Sequence, residues 1–301
     1  MNNLHQSKVN CPACNEVSSH YLSSADYNRR ISPESFDYWK CSSCEFIFMS
    51  PIPDDISMYY EGGYQNIPEN FSEFVKTADK EVYRLDALLR HKSEGELLEI
   101  GPWIGIFSFN AKRKGFSVDT IEMNSAACSF LRNKVKVNVE ETNDVAGALA
   151  KTDKFYDVIV LWHSLEHLPK PWKVIKEARR RLKDDGLLII GIPNISGGQS
   201  CYLGNKWMHL DAPRHINFWS PAALVKLATA CDLGVVEIST HDRLSWILEV
   251  MAWQHRVSSI IGIRYIRGIV AFAIAPMLAA ISSRKGGAGI TAIFRLNSPK
   301  T

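Results

Sequence analysis

The sequence predicts an α/β protein: a doubly wound, mostly parallel sheet of seven strands with helices on both faces, preceded by a small cysteine-bearing module. Three observations predict it. Apolar strand-like runs alternate with helix-like stretches between residues 97 and 294, the first run closes on a glycine-bearing turn, and two Cys-x-x-Cys pairs stand ahead of them all.

The cysteine pairs come first. Cys11-Pro12-Ala13-Cys14 and Cys41-Ser42-Ser43-Cys44 flank the 26 residues 15–40. Two such knuckles offer four thiolates to one tetrahedral zinc, and a closed sulfur shell leaves no open position for catalysis, so a structural role is expected. Residues 1–50 read as this zinc-ribbon-like module, because Ser50-Pro51-Ile52-Pro53-Asp54-Asp55 is rich in turn formers. Cys128, Cys201 and Cys231 stand alone and read as packing residues. Residues 51–95 follow as a helical linker or lid, with a helix expected over 71–89. The main domain spans 96–301. Its strands are expected at 97–100, 117–121, 135–139, 158–161, 187–190, 235–238 and 290–294, with a helical insertion at about 245–285 before the last.

Composition is that of an ordinary globular chain, 46% apolar and 22% charged. Thirty-five basic against 32 acidic side chains leave +3, which gives no nucleic-acid footprint, and no nucleic-acid partner is expected. Residues 1–10 are polar and lack the apolar core of a secretory signal, so a cytoplasmic location and reduced cysteines are expected.

Leu97-Leu98-Glu99-Ile100-Gly101-Pro102-Trp103-Ile104-Gly105-Ile106-Phe107 reads as strand, turn and helix start, the crossover at which doubly wound folds receive a ligand. A dinucleotide fingerprint would put glycines at 101, 103 and 106, but Trp103 and Ile106 hold the last two places. The second strand ends in Ile121-Glu122-Met123, and a carboxylate about twenty residues beyond the turn can accept from both ribose hydroxyls of a nucleoside. Further on, Phe155-Tyr156-Asp157-Val158-Ile159-Val160-Leu161-Trp162-His163-Ser164-Leu165-Glu166-His167-Leu168 leads through a helix to Leu182-Lys183-Asp184-Asp185-Gly186-Leu187-Leu188-Ile189-Ile190.

Over residues 96–240 these runs resemble the Rossmann-like class I S-adenosylmethionine-dependent methyltransferases of the small-molecule type, and the zinc-knuckle front end is shared by a bacterial subgroup of them. The resemblance implies that Glu99, Gly101, Trp103, Gly105, Glu122, Met123 and His163 line S-adenosylmethionine, with Asn143 or Asp144 on the adenine side. Trp103 departs from the family, whose glycine loop usually carries its smallest residue there. A bulky side chain at that place must point away from the cofactor or obstruct it.

The sulfonium is already an activated donor, so the protein need only align an acceptor and, for a hydroxyl or carbon acid, remove its proton. Lys206-Trp207-Met208-His209-Leu210-Asp211-Ala212-Pro213-Arg214-His215-Ile216-Asn217-Phe218 is the expected acceptor wall. His215 is the expected general base, His209 its alternative and Asp211 its orienting partner, while His167 follows the fourth strand closely enough to reach the methyl group. Arg179, Arg180 and Arg181 read as solvated helix surface. Residues 268–283 carry no charge, with Arg264, Arg267, Arg284 and Lys285 at their ends, and sixteen residues fall short of the ~20 a membrane span needs. A cover over the site, a homodimer contact, or a helix lying on a membrane through residues 260–285 are the readings for this segment. The expected function is methyl transfer to a small molecule or glycan, such as a cell-surface sugar or secondary-metabolite precursor. A nucleotide-sugar oxidoreductase would need a Tyr-x-x-x-Lys pair that is not found in place, and a scaffold that kept the fold but lost the cofactor has only Trp103 in its favour.

Overall fold

The computed structural model describes residues 9–60, 66–260 and 264–297. At the N-terminus β1 (Val9–Asn10), β2 (Val17–Ala25), β3 (Ser35–Cys41) and β4 (Ile47–Met49) form an antiparallel meander. In β3 the side chains of Phe36, Tyr38 and Cys41 are buried, and Ile47, Phe48 and Met49 of β4 are buried on both faces. A helix α1 (Phe71–Lys80) follows, capped by the Asn70 side chain, which accepts from the Ser72 N–H. It docks through Phe74, whose ring lies edge-on to Phe109 and Phe130 at 5.2 Å from each. The single helix expected over 71–89 is interrupted: Glu81 leaves the helical region and a 3₁₀ turn, Val82–Arg84, precedes α2 (Leu85–Leu89).

The main domain runs β5 (Gly95–Ile100), α3 (Ile106–Arg113), β6 (Phe116–Glu122), α4 (Ser125–Phe130), β7 (Asn138–Glu141), α5 (Val145–Lys151), β8 (Tyr156–Trp162), α6 (Pro171–Arg181), β9 (Leu182–Pro193), α7 (Gly198–Leu203), β10 (Asn217–Phe218), α8 (Pro221–Ala230), β11 (Leu233–Ser239), α9 (Arg243–Ile260), α10 (Arg264–Ser282) and β12 (Gly289–Leu296). Seven strands make one sheet in the order β11-β12-β9-β8-β5-β6-β7. The pairs from β7 through β9 are parallel, and β12 enters antiparallel between β9 and β11. The seven-stranded, mostly parallel sheet expected from the sequence is present. Alternate residues feed two cores: Leu97, Val158, Val160, Leu187 and Ile189 on one face, Leu98, Ile159, Leu161, Leu188 and Ile190 on the other. Burial on both faces is why these strands read as continuous apolar runs.

Two details depart from expectation. The strand expected over 135–139 begins only at Asn138, because Leu131–Val135 continue α4 as a π-helical turn that ends at left-handed Lys136. That turn carries Leu131 and Val135, one helical turn apart on the same face, into the core beneath Gly105. The second departure is β10, which pairs antiparallel with β4, Asn217 opposite Phe48 and Phe218 opposite Ile47, and so becomes the fifth strand of the N-terminal sheet.

Candidate active site

The C-terminal ends of β6, β5 and β8 lie side by side. Gly101 and Gly105 adopt φ of 69° and 75°, a region open to glycine at little cost. Space demands glycine as well: a Cβ on Gly101 would stand 2.7 Å from the Ser164 Cβ, and one on Gly105 would collide with Leu131. Trp103 shares the left-handed conformation at φ 52°, a strained choice for a side-chain-bearing residue, and its indole packs partly buried against the apolar core. The strain serves a contact. The Trp103 N–H donates to Glu122 Oε2 at 3.0 Å, while Met123 and Asn124 N–H groups donate to Oε1 at 2.9 Å each. The Glu122 carboxylate thus faces the glycine loop from the end of β6, and Met123 is exposed beside it.

Glu99 lies buried on β5 and accepts from the Ser108 hydroxyl at the start of α3. Burial, only partly offset by that hydrogen bond, pushes its carboxyl up to about 7. Asn143 is exposed after β7, and the Asp144 carboxylate accepts from the Gly147 N–H at 3.0 Å as the cap of α5.

The end of β8 forms the opposite rim. His163 has φ 52° and donates its N–H to the Gly191 carbonyl at 2.8 Å. Around it Trp162 Nε1, His163 Nε2, Ser164 Oγ and both carboxylate oxygens of Glu166 are buried without a hydrogen-bond partner. Left without any partner, each such group costs about 1–3 kcal/mol, so the cluster calls for water, an ion or a ligand to satisfy it. Glu166 is fully buried, with Oε1 3.4 Å from His163 Nδ1. Burial pushes its carboxyl up, yet His163 and the neighbouring His215 and His167 outweigh that and hold it at about 2. His167 is lowered to about 4 by burial and by His215.

The acceptor loop is arranged differently from its sequence reading. His209 Nε2 lies 2.9 Å from the Leu248 carbonyl, and burial lowers this imidazole to about 4, so the ring ties the loop to α9. The orienting role expected of Asp211 is corrected: its carboxylate is taken by Arg214 at 2.7 and 2.9 Å and by Asn28 at 2.5 Å. Arg214 is wholly buried and also needs Asp26 at 2.8 Å, which places Asp211 in an ion-pair network rather than on a histidine. His215 is oriented instead by the His209 carbonyl, 2.8 Å from its Nδ1. Its ring meets His167 edge to face at 4.6 Å, and one ligand-capable atom from each of Glu166, His167 and His215 lies within 4.8 Å of the others.

Sequence reasoning missed Tyr60, Asp26 and Asn28. Tyr60 approaches His167 Nδ1 at 3.0 Å and donates to the Arg214 carbonyl at 3.2 Å, bringing the linker onto the site. The four knuckle cysteines do converge: Sγ atoms of Cys11 and Cys44, Cys14 and Cys41, and Cys14 and Cys44 stand 3.7, 3.5 and 3.6 Å apart. A tetrahedron with 2.3 Å metal–sulfur bonds has edges of about 3.8 Å.

A parallel sheet with this strand order, a glycine turn after β5 and an acid closing β6 defines a class I methyltransferase of the S-adenosylmethionine-dependent type. The chain belongs to the methyltransferase domain family, whose model matches residues 75–257. Ubiquinone biosynthesis O-methyltransferases are among its relatives: that of Rickettsia akari is 23% identical over 164 residues, covering 50% of this chain and 62% of its own length. The Paraburkholderia xenovorans enzyme is 26% identical over 160 residues, covering 49% and 68%. Among solved structures, a SAM-dependent methyltransferase from Archaeoglobus fulgidus superposes with a TM-score of 0.51 at 19% identity over 72% of this chain and 93% of that one.

Proposed function

We propose that this chain methylates a hydroxyl of a small, membrane-accessible molecule or glycan, with S-adenosylmethionine held between the glycine loop and the β8 rim. The observation that carries the reading is the set of five orphaned polar atoms from Trp162, His163, Ser164 and Glu166 after β8, where Ser164 abuts Gly101, with the Glu122 carboxylate facing the same glycine loop. Glu99, Gly101, Trp103, Gly105, Glu122 and Met123 would hold the cofactor on one side and His163 on the other, with Asn143 the adenine-side residue whose side chain is not spent on a cap. The bound sulfonium supplies an activated methyl group. The protein aligns the acceptor and removes its proton at the cluster of Glu166, His167 and His215. Oxygen as the atom methylated is favoured by the relatives named above, which are O-methyltransferases. The four cysteines would hold a structural zinc, for which their sulfur spacing is suited.

The C-terminal hairpin supports the membrane-accessible acceptor. Ile269, Phe272, Met277 and Ile281 of α10 are 75, 74, 66 and 53% exposed, whereas Ala275, Ala279 and the polar Ser282 face inward. After Glu249 the sequence holds no acidic residue and seven basic ones. An apolar face in a segment whose only charges are basic suits the anionic surface of a bilayer, reached from the cytoplasmic side; a symmetric homodimer through the same face would bring like-charged segments together. The hairpin packs on the acceptor loop, with His209 Nε2 2.9 Å from the Leu248 carbonyl, so membrane binding through α10 would keep that loop near the lipid surface.

Calorimetric titration with S-adenosylmethionine, and mass spectrometry of the purified protein for retained S-adenosylhomocysteine and one zinc per chain, test the reading. Binding in the micromolar range supports it; no heat at high protein concentration removes it.

A further inference from the structure

We propose that Glu166, His167 and His215 form a second metal site, holding one divalent first-row transition ion beside the methyl-transfer position. The purpose of the site rests on the methyltransferase reading, but its existence does not.

The geometry is that of ligands waiting for a cation. The three side chains come from two separate segments, the 3₁₀ turn after β8 and the loop before β10, and one ligand atom from each lies within 4.8 Å of the others. Ligands on a common ion with bonds near 2.1 Å stand about 3–4 Å apart, so small side-chain adjustments close the site. The Nδ1 of His167 lies 2.9 Å from the Arg214 carbonyl, and the Nδ1 of His215 lies 2.8 Å from the His209 carbonyl. A carbonyl accepts only, so each ring carries its proton on Nδ1 and its lone pair on Nε2, the arrangement in which outer carbonyls orient metal-binding histidines. Tyr60 is consistent with this, since its hydroxyl gives its own proton to the Arg214 carbonyl. The third ligand, Glu166, is 0% exposed, and neither carboxylate oxygen has a hydrogen-bond partner.

Lone pairs therefore converge from three sides, and among the described residues the nearest donor to the carboxylate is His163 Nδ1 at 3.4 Å. A cation placed there would meet a buried carboxylate and two ring nitrogens at once. Two imidazoles and one carboxylate form the donor set of catalytic zinc and of two-histidine, one-carboxylate iron sites, and three protein ligands leave coordination positions open. Magnesium and calcium, which take oxygen ligands, match it poorly. An open position would be free to take the acceptor's hydroxyl. With an ion bound there, the three side chains would act through it rather than as the base themselves: the ion would lower the pKa of the acceptor hydroxyl, the proton would leave to water, and the oxygen would take the methyl group while the carbon–sulfur electron pair stays on sulfur as a neutral thioether.

Full-length protein carrying its one knuckle zinc is titrated with Mn²⁺ while electron paramagnetic resonance follows the free aquo ion. One further Mn²⁺ should bind per chain, and His167→Ala and His215→Ala should each weaken binding at least tenfold while S-adenosylmethionine still binds calorimetrically. Wild-type protein that leaves millimolar Mn²⁺ free, or variants that bind it as well as wild type, would overturn the proposal. Failure of the methyltransferase reading is separate: it appears as loss of cofactor heat in wild-type protein whose Mn²⁺ stoichiometry is intact.

Discussion

Replacing Glu122 by glutamine tests the reaction centre with the least change of shape. In the wild-type chain the carboxylate accepts three backbone N–H groups, two on Oε1 and the Trp103 N–H on Oε2. The amide keeps one acceptor oxygen for Met123 and Asn124, and its NH₂ then confronts the Trp103 N–H, donor against donor. One charge-assisted bond is lost, about 1.5–3 kcal/mol, and the left-handed Trp103 loses the contact that holds it. Urea denaturation should therefore report a loss of about 2 kcal/mol. Cofactor affinity should fall further, because the two ribose hydroxyls lose a charged acceptor; two bonds at about 1.5 kcal/mol each correspond to roughly a hundredfold in Kd. Calorimetric titration of Glu122→Gln at a temperature where it is fully folded separates the two effects. Affinity within twofold of wild type would mean that the acid holds the loop together and does nothing for the ligand, and the cofactor site would have to lie elsewhere.

Other expectations follow from single groups. Glu249 is buried under α10, its carboxylate shared with the Ser282 hydroxyl on one oxygen and unpartnered on the other, and burial pushes it up to about 7. Its folded-state proton stabilises fully below the ordinary value near 4.5 and that stabilisation is lost as pH rises through about 7, an upper bound of about 3 kcal/mol. Thermal melts at pH 5 and pH 8 should thus show a steeper fall for wild type than for Glu249→Gln, and equal slopes would refute the assignment. On phosphatidylglycerol vesicles the double variant Ile269→Glu, Phe272→Glu should lose at least tenfold of the bound fraction, since each side chain brings about 1.5–3 kcal/mol of burial. Unchanged pelleting, or equal pelleting on phosphatidylcholine, would remove the membrane reading, and a shift from dimer to monomer by light scattering would put a second copy in its place.

What could be read from sequence follows from where the information lies. The central strands announce themselves because burial on both faces makes them uniformly apolar, as at Val158 to Leu161, and the glycine turn announces itself because two left-handed positions need glycine. The end of α4 did not, since Val135-Lys136-Val137-Asn138-Val139 alternates like a strand while the tertiary position of Gly105 draws Leu131 and Val135 inward in helical register. Nor did the partners of the acceptor loop. Asp211 stands four residues from His215, near enough to suggest a pair, yet the buried charge of Arg214 between them needs both Asp211 and Asp26, and ion pairing in a dry interior outweighs a hydrogen bond to an imidazole. Asp26 and Asn28 lie too far back in the chain for spacing to connect them with that loop.

The two-residue strand β10 gives the cysteine module a purpose beyond its own folding. Cys41 ends β3, β3 pairs with β4, and β4 pairs with β10, so a metal at the knuckle is two backbone ladders from the segment that begins two residues after His215. The module also reaches His215 directly, since the buried Tyr38 hydroxyl donates to the His215 carbonyl at 2.7 Å and Asp26 holds Arg214 next to it. A strand of two residues has too few hydrogen bonds to persist without its sheet. Removing zinc, or the change Cys41→Ser, should therefore release the acceptor loop while the glycine turn and Glu122, built entirely on β5 and β6, stay in place. The expected signature is a split: cofactor Kd within about threefold of wild type, with turnover of a hydroxyl acceptor reduced by at least tenfold. Hydrogen exchange would show the same division, faster at residues 207–218 and unchanged at 97–105. If both regions loosened together, the module would be a fold-wide staple and the path through β10 would carry no special coupling.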